Sequence, residues 1–439
     1  CKHILGGESR VTRPQPQDML ALRATLPAWR SLRPCHSPHK GLSSAAVSLH
    51  SRSSFSTGPS DGSSVKVDLS GSFTLYTPDG FEDSWTEPPL EATATKDELV
   101  TLLRNMLIIR RLEQVSDKEY KAKKIRGFCH LYLGQEGVCT GLEAAIDFRD
   151  CMITAYRDHG NQLARGDTPY SIFCEMLGKF DGCSKGKGGS MHLYHRKNNF
   201  YGGNGIVGAQ TPVGAGLAFA QKYKGENHIS FACYGDGAAN QGQLSEAINM
   251  AALWKLPIVF VCENNHFGMG TPANRSSADF DYFTRGQFVP GIRVDGMNVL
   301  AVREATRHVA SWVRAGNGPC LMEFDTYRYS GHSMSDPGYG YRSKEEVKAI
   351  QTARDPIEAL YSIMVSANMI TPEEREALVK EVRKYVEGDM AAADKAPLPN
   401  LDEMYTDVYA DNSEEIRGVL FGTGYDPSTG KVVHPPTEE

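Results

Sequence analysis

The sequence predicts an α/β protein, with a mostly parallel central sheet, helices on both faces and a helical C-terminal extension. Three observations carry that expectation. Strand-length apolar runs, HISFACY (228–234), LPIVFVC (256–262) and CLMEFDTYRY (320–329), alternate with helical segments between about 126 and 335. Short links join them, which is the pattern of βαβ units in a parallel sheet. The runs also end in polar residues, at the strand ends where such sheets place their ligands.

Taken in order, the N-terminus differs in kind. Met19 to Thr57 holds Arg23, Arg30, Arg33, Lys40 and Arg52, many serines and no acid, the composition of a mitochondrial or plastid transit peptide. Residues 1–57 are read as upstream residues plus a transit peptide starting at Met19. They carry eight Lys/Arg against two Asp/Glu, a net +6, which leaves −12 on the rest of a chain whose total is −6. The Ser/Gly/Pro-rich stretch 58–94 reads as a linker or extended arm. Thr95-Lys96-Asp97-Glu98 forms a capping box, and Leu99, Leu102, Leu103, Met106 and Leu107 follow at helical spacing. Folded structure is expected to begin there, as an α/β domain over 95–345. CMITAYRDHG (151–160) reads as a strand running into a polar loop, and SEAINMAALWK (245–255) as a helix. Residues 346–439 read as a mainly helical extension and tail. Asp355-Pro356 and Thr371-Pro372 each supply a cap and a proline at the first helical position.

Composition excludes several classes. A net charge of −6 gives no general affinity for nucleic acid. No apolar stretch approaches bilayer-spanning length, so no membrane insertion is expected. Ten cysteines without a C-x-x-C pair read as buried reduced thiols, neither a zinc ribbon nor a disulfide framework.

Two glycine-rich runs are weighed and set aside. YGGNGIVGA (201–209) contains a formal G-x-G-x-x-G at Gly203, Gly205 and Gly208. The dinucleotide fingerprint needs a strand before it, and HRKNNF is too polar to supply one. The better reading is a loop whose backbone lies close to a ligand, followed by a small-residue helix. GCSKGKGGS (182–190) lacks the Gly-Lys-Ser/Thr spacing of a phosphate loop. The acid in YGDGAANQG is different. Asp236 ends one strand and Asn265 ends the next, one crossover later. A lone acid there would be a helix cap. The pair offers one anionic and one neutral hard oxygen to one cleft, which suits magnesium completed by phosphate oxygens and water.

Gly235-Asp236-Gly237 followed by Asn264-Asn265 is the thiamine-diphosphate-binding motif. With RGFCHLYLGQEG (126–137), ITAYRDHG (153–160), GKGGSMH (186–192), FYGGNGIVGAQ (200–210), AALWKLP (251–257), RVDGMN (293–298) and TYRYSGHSMSDPG (326–338), the chain resembles the alpha subunits of the mitochondrial pyruvate dehydrogenases over roughly 95–420. The resemblance implies the thiamine-diphosphate-binding fold. It implies oxidative decarboxylation of pyruvate on that cofactor and reductive acetylation of a lipoyl domain, feeding acetyl-CoA formation. By the same resemblance Asp236, Asn265 and the backbone carbonyl of Phe267 bind magnesium; the family usually has tyrosine at this last position. Tyr156, Arg157, Gly205, Val207, Gly237 and Ala238 contact the cofactor. His130 and His332 flank cofactor and substrate as catalytic residues.

A glutamate that activates the cofactor's aminopyrimidine is not identified in this chain. The resemblance implies that a beta subunit supplies it, in a tetramer of two alpha and two beta chains in the mitochondrial matrix. Further implied partners are the lipoyl domain of dihydrolipoamide acetyltransferase and a regulatory kinase and phosphatase. Ser333 matches the main inhibitory phosphorylation site, whereas Pro272 and Gly340 stand where two other family serines would be. Three rival readings remain. One is a branched-chain 2-oxoacid dehydrogenase alpha subunit, whose family typically carries a second histidine before its serine. The second is a Rossmann NAD-dependent oxidoreductase. The third, a catalytically dead scaffold, is opposed by intact Asp236, Asn265, His130 and His332.

Overall fold

The computed structural model describes residues 64–404, 406–408, 424–426 and 431–433, all within the unit Thr57–Glu439, so the leader expected over 1–57 lies outside the described residues. The described chain opens with β1 (Ser64–Asp68), β2 (Phe73–Tyr76), β3 (Glu91–Thr95) and α1 (Lys96–Lys121). Then come α2 (Glu136–Glu143), β4 (Cys151–Ala155), α3 (His159–Ala164), α4 (Pro169–Met176), β5 (Phe200–Asn204) and α5 (Gln210–Lys224). They lead to β6 (Ser230–Gly235), α6 (Gly242–Leu253) and β7 (Ile258–Asn264). A short hairpin follows, β8 (Phe267–Gly268) and β9 (Thr271–Pro272), then α7 (Ala273–Ser276), β10 (Gly291–Asp295), α8 (Val299–Trp312) and β11 (Cys320–Asp325). Three helices follow, α9 (Lys344–Arg354), α10 (Pro356–Ser366) and α11 (Pro372–Lys395), and then two short strands, β12 (Gly424–Asp426) and β13 (Lys431–Val433).

The central sheet runs β2-β10-β11-β7-β6-β4-β5, and every pair is parallel except β2 with β10. The α/β expectation with a mostly parallel sheet therefore holds. Its middle strands read as continuous apolar runs because both faces are covered; every residue of β7 is buried. Both capping boxes form: Thr95 with Glu98 starts α1, and Thr371 with Glu374 starts α11. Those two helices pack together, so α11 is part of the body rather than a separate tail. All eight cysteines among the described residues are free, seven of them buried. No described helix is long and apolar enough to cross a membrane.

The linker reading of 58–94 needs correction from Ser64 onward. β1 and β3 pair antiparallel, and β2 adds the edge strand beside β10. Leu69, Phe73 and Trp85 join the main core. Strands this short, interrupted by Ser, Gly and Pro, show little alternation, and the partner of β2 lies far downstream. Trp85→Ala in the assembled protein is expected to cost about 3–5 kcal/mol, read from chemical denaturation. A loss under about 0.5 kcal/mol, the range of surface substitutions, would return the segment to the status of an arm.

A second correction concerns the glycine run. A strand, β5, does occur there, and it contains Gly202 and Gly203. It is an edge strand paired with β4 and bridged at Phe200 to His195, so weak strand formers are tolerated. Glycine is needed at 203 because a Cβ would meet the Asp158 carboxylate and the Met191 carbonyl. The set-aside run GCSKGKGGS also has an anion, but an internal one. The buried carboxylate of Glu175 accepts from the amides of Ser184 (2.8 Å), Gly186 (3.0 Å) and Gly188 (2.6 Å). Lys185 and Lys187 then reach the other way, each 2.9 Å from Asp407, and tie the chain after α11 to this loop.

Candidate functional site

Strands β6 and β7 lie side by side in parallel, with Gly235 opposite Glu263. The residues that follow therefore leave the sheet together at its carboxyl edge. Asp236 is 1% exposed, and its Oδ2 has no hydrogen-bond partner. Asn265 donates from Nδ2 to Gln135 Oε1 at 3.2 Å, while its Oδ1 is buried without a partner. Burial pushes the Asp236 carboxyl up to about 6. Two buried hard oxygens left unmet are costly, and they form the beginning of an oxygen-only cation site. Among the described residues no group of three His, Cys, Asp or Glu side chains could hold a metal, so further ligands would come from backbone, phosphate or water.

The neighbouring Asn264 has a structural task. It donates to Glu323 Oε1 at 2.7 Å and accepts from the His266 amide at 3.1 Å. That bond steadies a left-handed turn at His266, φ 69°, which carries the chain into β8. There the Phe267 carbonyl accepts from Arg328 Nη1 over 3.4 Å. A Cβ on Gly237 would come within 3.2 Å of Gly268 Cα. The second glycine of G-D-G thus relieves a tight pass of this hairpin. Asp236 is not a helix cap. The turn that follows has no side-chain cap, and α6 starts only at Gly242.

The cleft has a volume of about 270 Å³. Of the residues singled out in the sequence, Tyr156, Arg157, Val207, Asp236, Gly237, Ala238, Asn265, Phe267 and His332 line it. Gly205 and His130 do not. Gly205 sits against His192, and His130 stands with its ring 4.3 Å from that of Tyr156 and 5.1 Å from that of His332. His332 Nε2 lies 3.5 Å from the Tyr156 hydroxyl. Burial, helped by the Arg157 guanidinium, lowers His130 to about 2 and His332 to about 4, so both rings are neutral near pH 7. Ser333, one residue on, is 8% exposed, with its hydroxyl 2.9 Å from that of Ser335.

The lining residues that the sequence reading gave no role include Gln135, Glu263 and Arg328. Arg328 and Arg157 are both buried, and neither has an ion pair among the described residues. Arg157 is held by the carbonyls of Leu131 (2.6 Å) and His332 (2.9 Å), and Arg328 by that of Met269 (3.0 Å) and the Tyr341 hydroxyl (2.9 Å). Two guanidinium groups without a direct ion pair in one cleft, with Glu113 and Glu263 near Arg157, favour a multiply charged anion. Burial raises Glu263 to about 7 while the Tyr132 hydroxyl donates to it. In sequence Arg328 sits in a tyrosine-rich strand end and Gln135 at a helix start, and neither position advertises a ligand.

The model of the dehydrogenase E1 component family matches residues 104–402. A Dictyostelium discoideum protein named pyruvate dehydrogenase E1 component subunit alpha, mitochondrial, is 55% identical over 77% of this chain and 89% of its own length. The protein of that name from Solanum tuberosum is 51% identical over 79% and 88%. The testis-specific form from Homo sapiens is 53% identical over 75% and 85%.

Proposed function

Because the chain belongs to the dehydrogenase E1 component family, we propose that it is the alpha subunit of a thiamine-diphosphate-dependent pyruvate dehydrogenase (acetyl-transferring). The enzyme decarboxylates pyruvate oxidatively and acetylates a lipoyl group. The observation that carries the site is the pair of unpartnered buried oxygens, Asp236 Oδ2 and Asn265 Oδ1, at the ends of adjacent parallel strands.

In this reading those two oxygens and the Phe267 carbonyl hold magnesium. Arg157 and Arg328 would balance the diphosphate charge, and Gly237 and Ala238, which line the same cleft, would offer it backbone amides. Tyr156 and Val207, which line the cleft, would contact the cofactor, and Gly205, beside His192, would present its backbone to the aminopyrimidine ring. Thiamine diphosphate, when bound, supplies the electron sink that loss of carbon dioxide from a 2-oxoacid requires. His332 holds or gives a proton at Nε2, and the depressed basicity of its ring keeps it a neutral donor instead of a fixed cation. His130, packed against Tyr156 and His332, keeps both rings in place. Ser333 is the regulatory phosphate acceptor. A beta subunit supplies the activating glutamate in a two-plus-two tetramer, and the lipoyl domain of dihydrolipoamide acetyltransferase takes the acetyl group. The mitochondrial matrix as its place is supported by the leader-like composition of 19–57 and by relatives named mitochondrial.

Co-expression with a cognate beta subunit tests the proposal. Pyruvate turnover should require both thiamine diphosphate and magnesium. Turnover without magnesium would overturn the metal assignment. Faster turnover of a branched-chain 2-oxoacid than of pyruvate would move the chain to the branched-chain enzyme.

A further inference from the structure

We propose that Gln135 is a positioning residue which decides the end of the Asn265 amide that faces the cation, and that its own Nε2 donates to the anionic end of the cofactor. The inference rests on the clamp reading of Asp236 and Asn265. Gln135 is 1% exposed, lines the cleft and stands at the start of α2. Its position invites a capping role, but its side chain makes no cap bond. Its backbone is fixed, with the amide donating to the Tyr132 carbonyl at 3.1 Å and its carbonyl accepting from Val138 at 3.0 Å.

A primary amide has two ends of similar shape and opposite polarity, so its partners decide its orientation. Gln135 Oε1 accepts from Asn265 Nδ2, which leaves Asn265 Oδ1 as the end of that amide without a partner. Reversed, Asn265 would offer two N–H donors to a cation. The same bond leaves Gln135 Nε2 as a donor, and that atom is buried without a partner. Three residues that line one cleft thus each carry an unmet buried atom: the acceptors Asp236 Oδ2 and Asn265 Oδ1, and the donor Gln135 Nε2. A cation satisfies the first two and an anion the third, which is the polarity of a metal–diphosphate pair.

Two substitutions separate the roles. Gln135→Met fills similar space and removes both polar ends. Gln135→Glu keeps an acceptor for Asn265 Nδ2 but removes the donor. Each alpha–beta holoenzyme is titrated calorimetrically with magnesium at saturating thiamine diphosphate, and with thiamine diphosphate at saturating magnesium. Gln135→Met should weaken magnesium on the order of 10- to 100-fold, as loss of a ligand-orienting partner does. Gln135→Glu should restore magnesium binding to within about threefold of the parent, yet weaken thiamine diphosphate about tenfold or more, as loss of a charge-assisted hydrogen bond does. Parental affinities in both variants, or a Glu variant no better than Met for magnesium, would overturn the proposal. Asp236→Ala runs alongside. If it loses magnesium while the Gln135 variants do not, the clamp stands and the role of Gln135 falls. If it too binds magnesium normally, the clamp itself fails. Should Gln135→Met not assemble, the thiamine diphosphate titration of Gln135→Glu decides alone.

Discussion

Asp236→Ala, assembled with a beta subunit, is expected to lose pyruvate decarboxylation by on the order of 100- to 1000-fold or more, the scale of removing a main electrostatic contact in a closed site. The loss should follow from weaker magnesium and diphosphate binding, so excess of both should restore part of the rate. The fold should not suffer. Asp236 is a buried carboxylate with one oxygen unpartnered, which is a cost to the protein without its cofactor. Its replacement is therefore expected to leave the denaturation midpoint of the cofactor-free protein unchanged or higher. A variant that lost activity by unfolding would contradict this account as surely as one that stayed active.

The second large effect is expected at Ser333. Its hydroxyl is nearly buried, one residue from His332, in a loop held by Asp336. That carboxylate accepts from the His332 amide at 2.7 Å and from the Tyr341 hydroxyl at 2.7 Å. On the proposed reading of the cleft, a phosphate on Ser333 would add about two negative charges beside Asp336 and compete with the diphosphate for Arg157 and Arg328. Ser333→Glu should therefore fall at least about tenfold in activity, the size of one lost charge-assisted contact, with weaker thiamine diphosphate binding. Ser333→Ala should remain active and resist the regulatory kinase. Because Pro272 and Gly340 offer no hydroxyl, inactivation of Ser333→Ala by the kinase would place control elsewhere on the chain.

Much of this was legible in the residues. The buried strands β6, β7 and β11 announce themselves because covered strands read as unbroken apolar runs. Thr95 and Thr371 act as caps because the capping box is a local device. Asp236 and Asn265 could be placed together because one crossover joins adjacent parallel strands. What was missed depends on distant partners. β2 has no visible alternation, and its register is set by β10. β5 hides in its own glycines. Glu175 gathers amides from a loop that looks, in sequence, as though it awaited a phosphate. Gln135 and Arg328 matter through neighbours that only the folded chain supplies.

The edge strand β2 has one more consequence, in time. Tyr76 pairs with Gly291, 215 positions later. At roughly 5–20 residues per second of synthesis, the first of these waits about 10–40 s for the second to be made. Until then Phe73–Tyr76 is an unpaired apolar segment, and a chain that reached β10 without it would carry a row of open backbone groups ready to capture another molecule. Non-local closure of this kind is slow. The growing chain therefore carries this segment unpaired while 215 of its 439 residues are made.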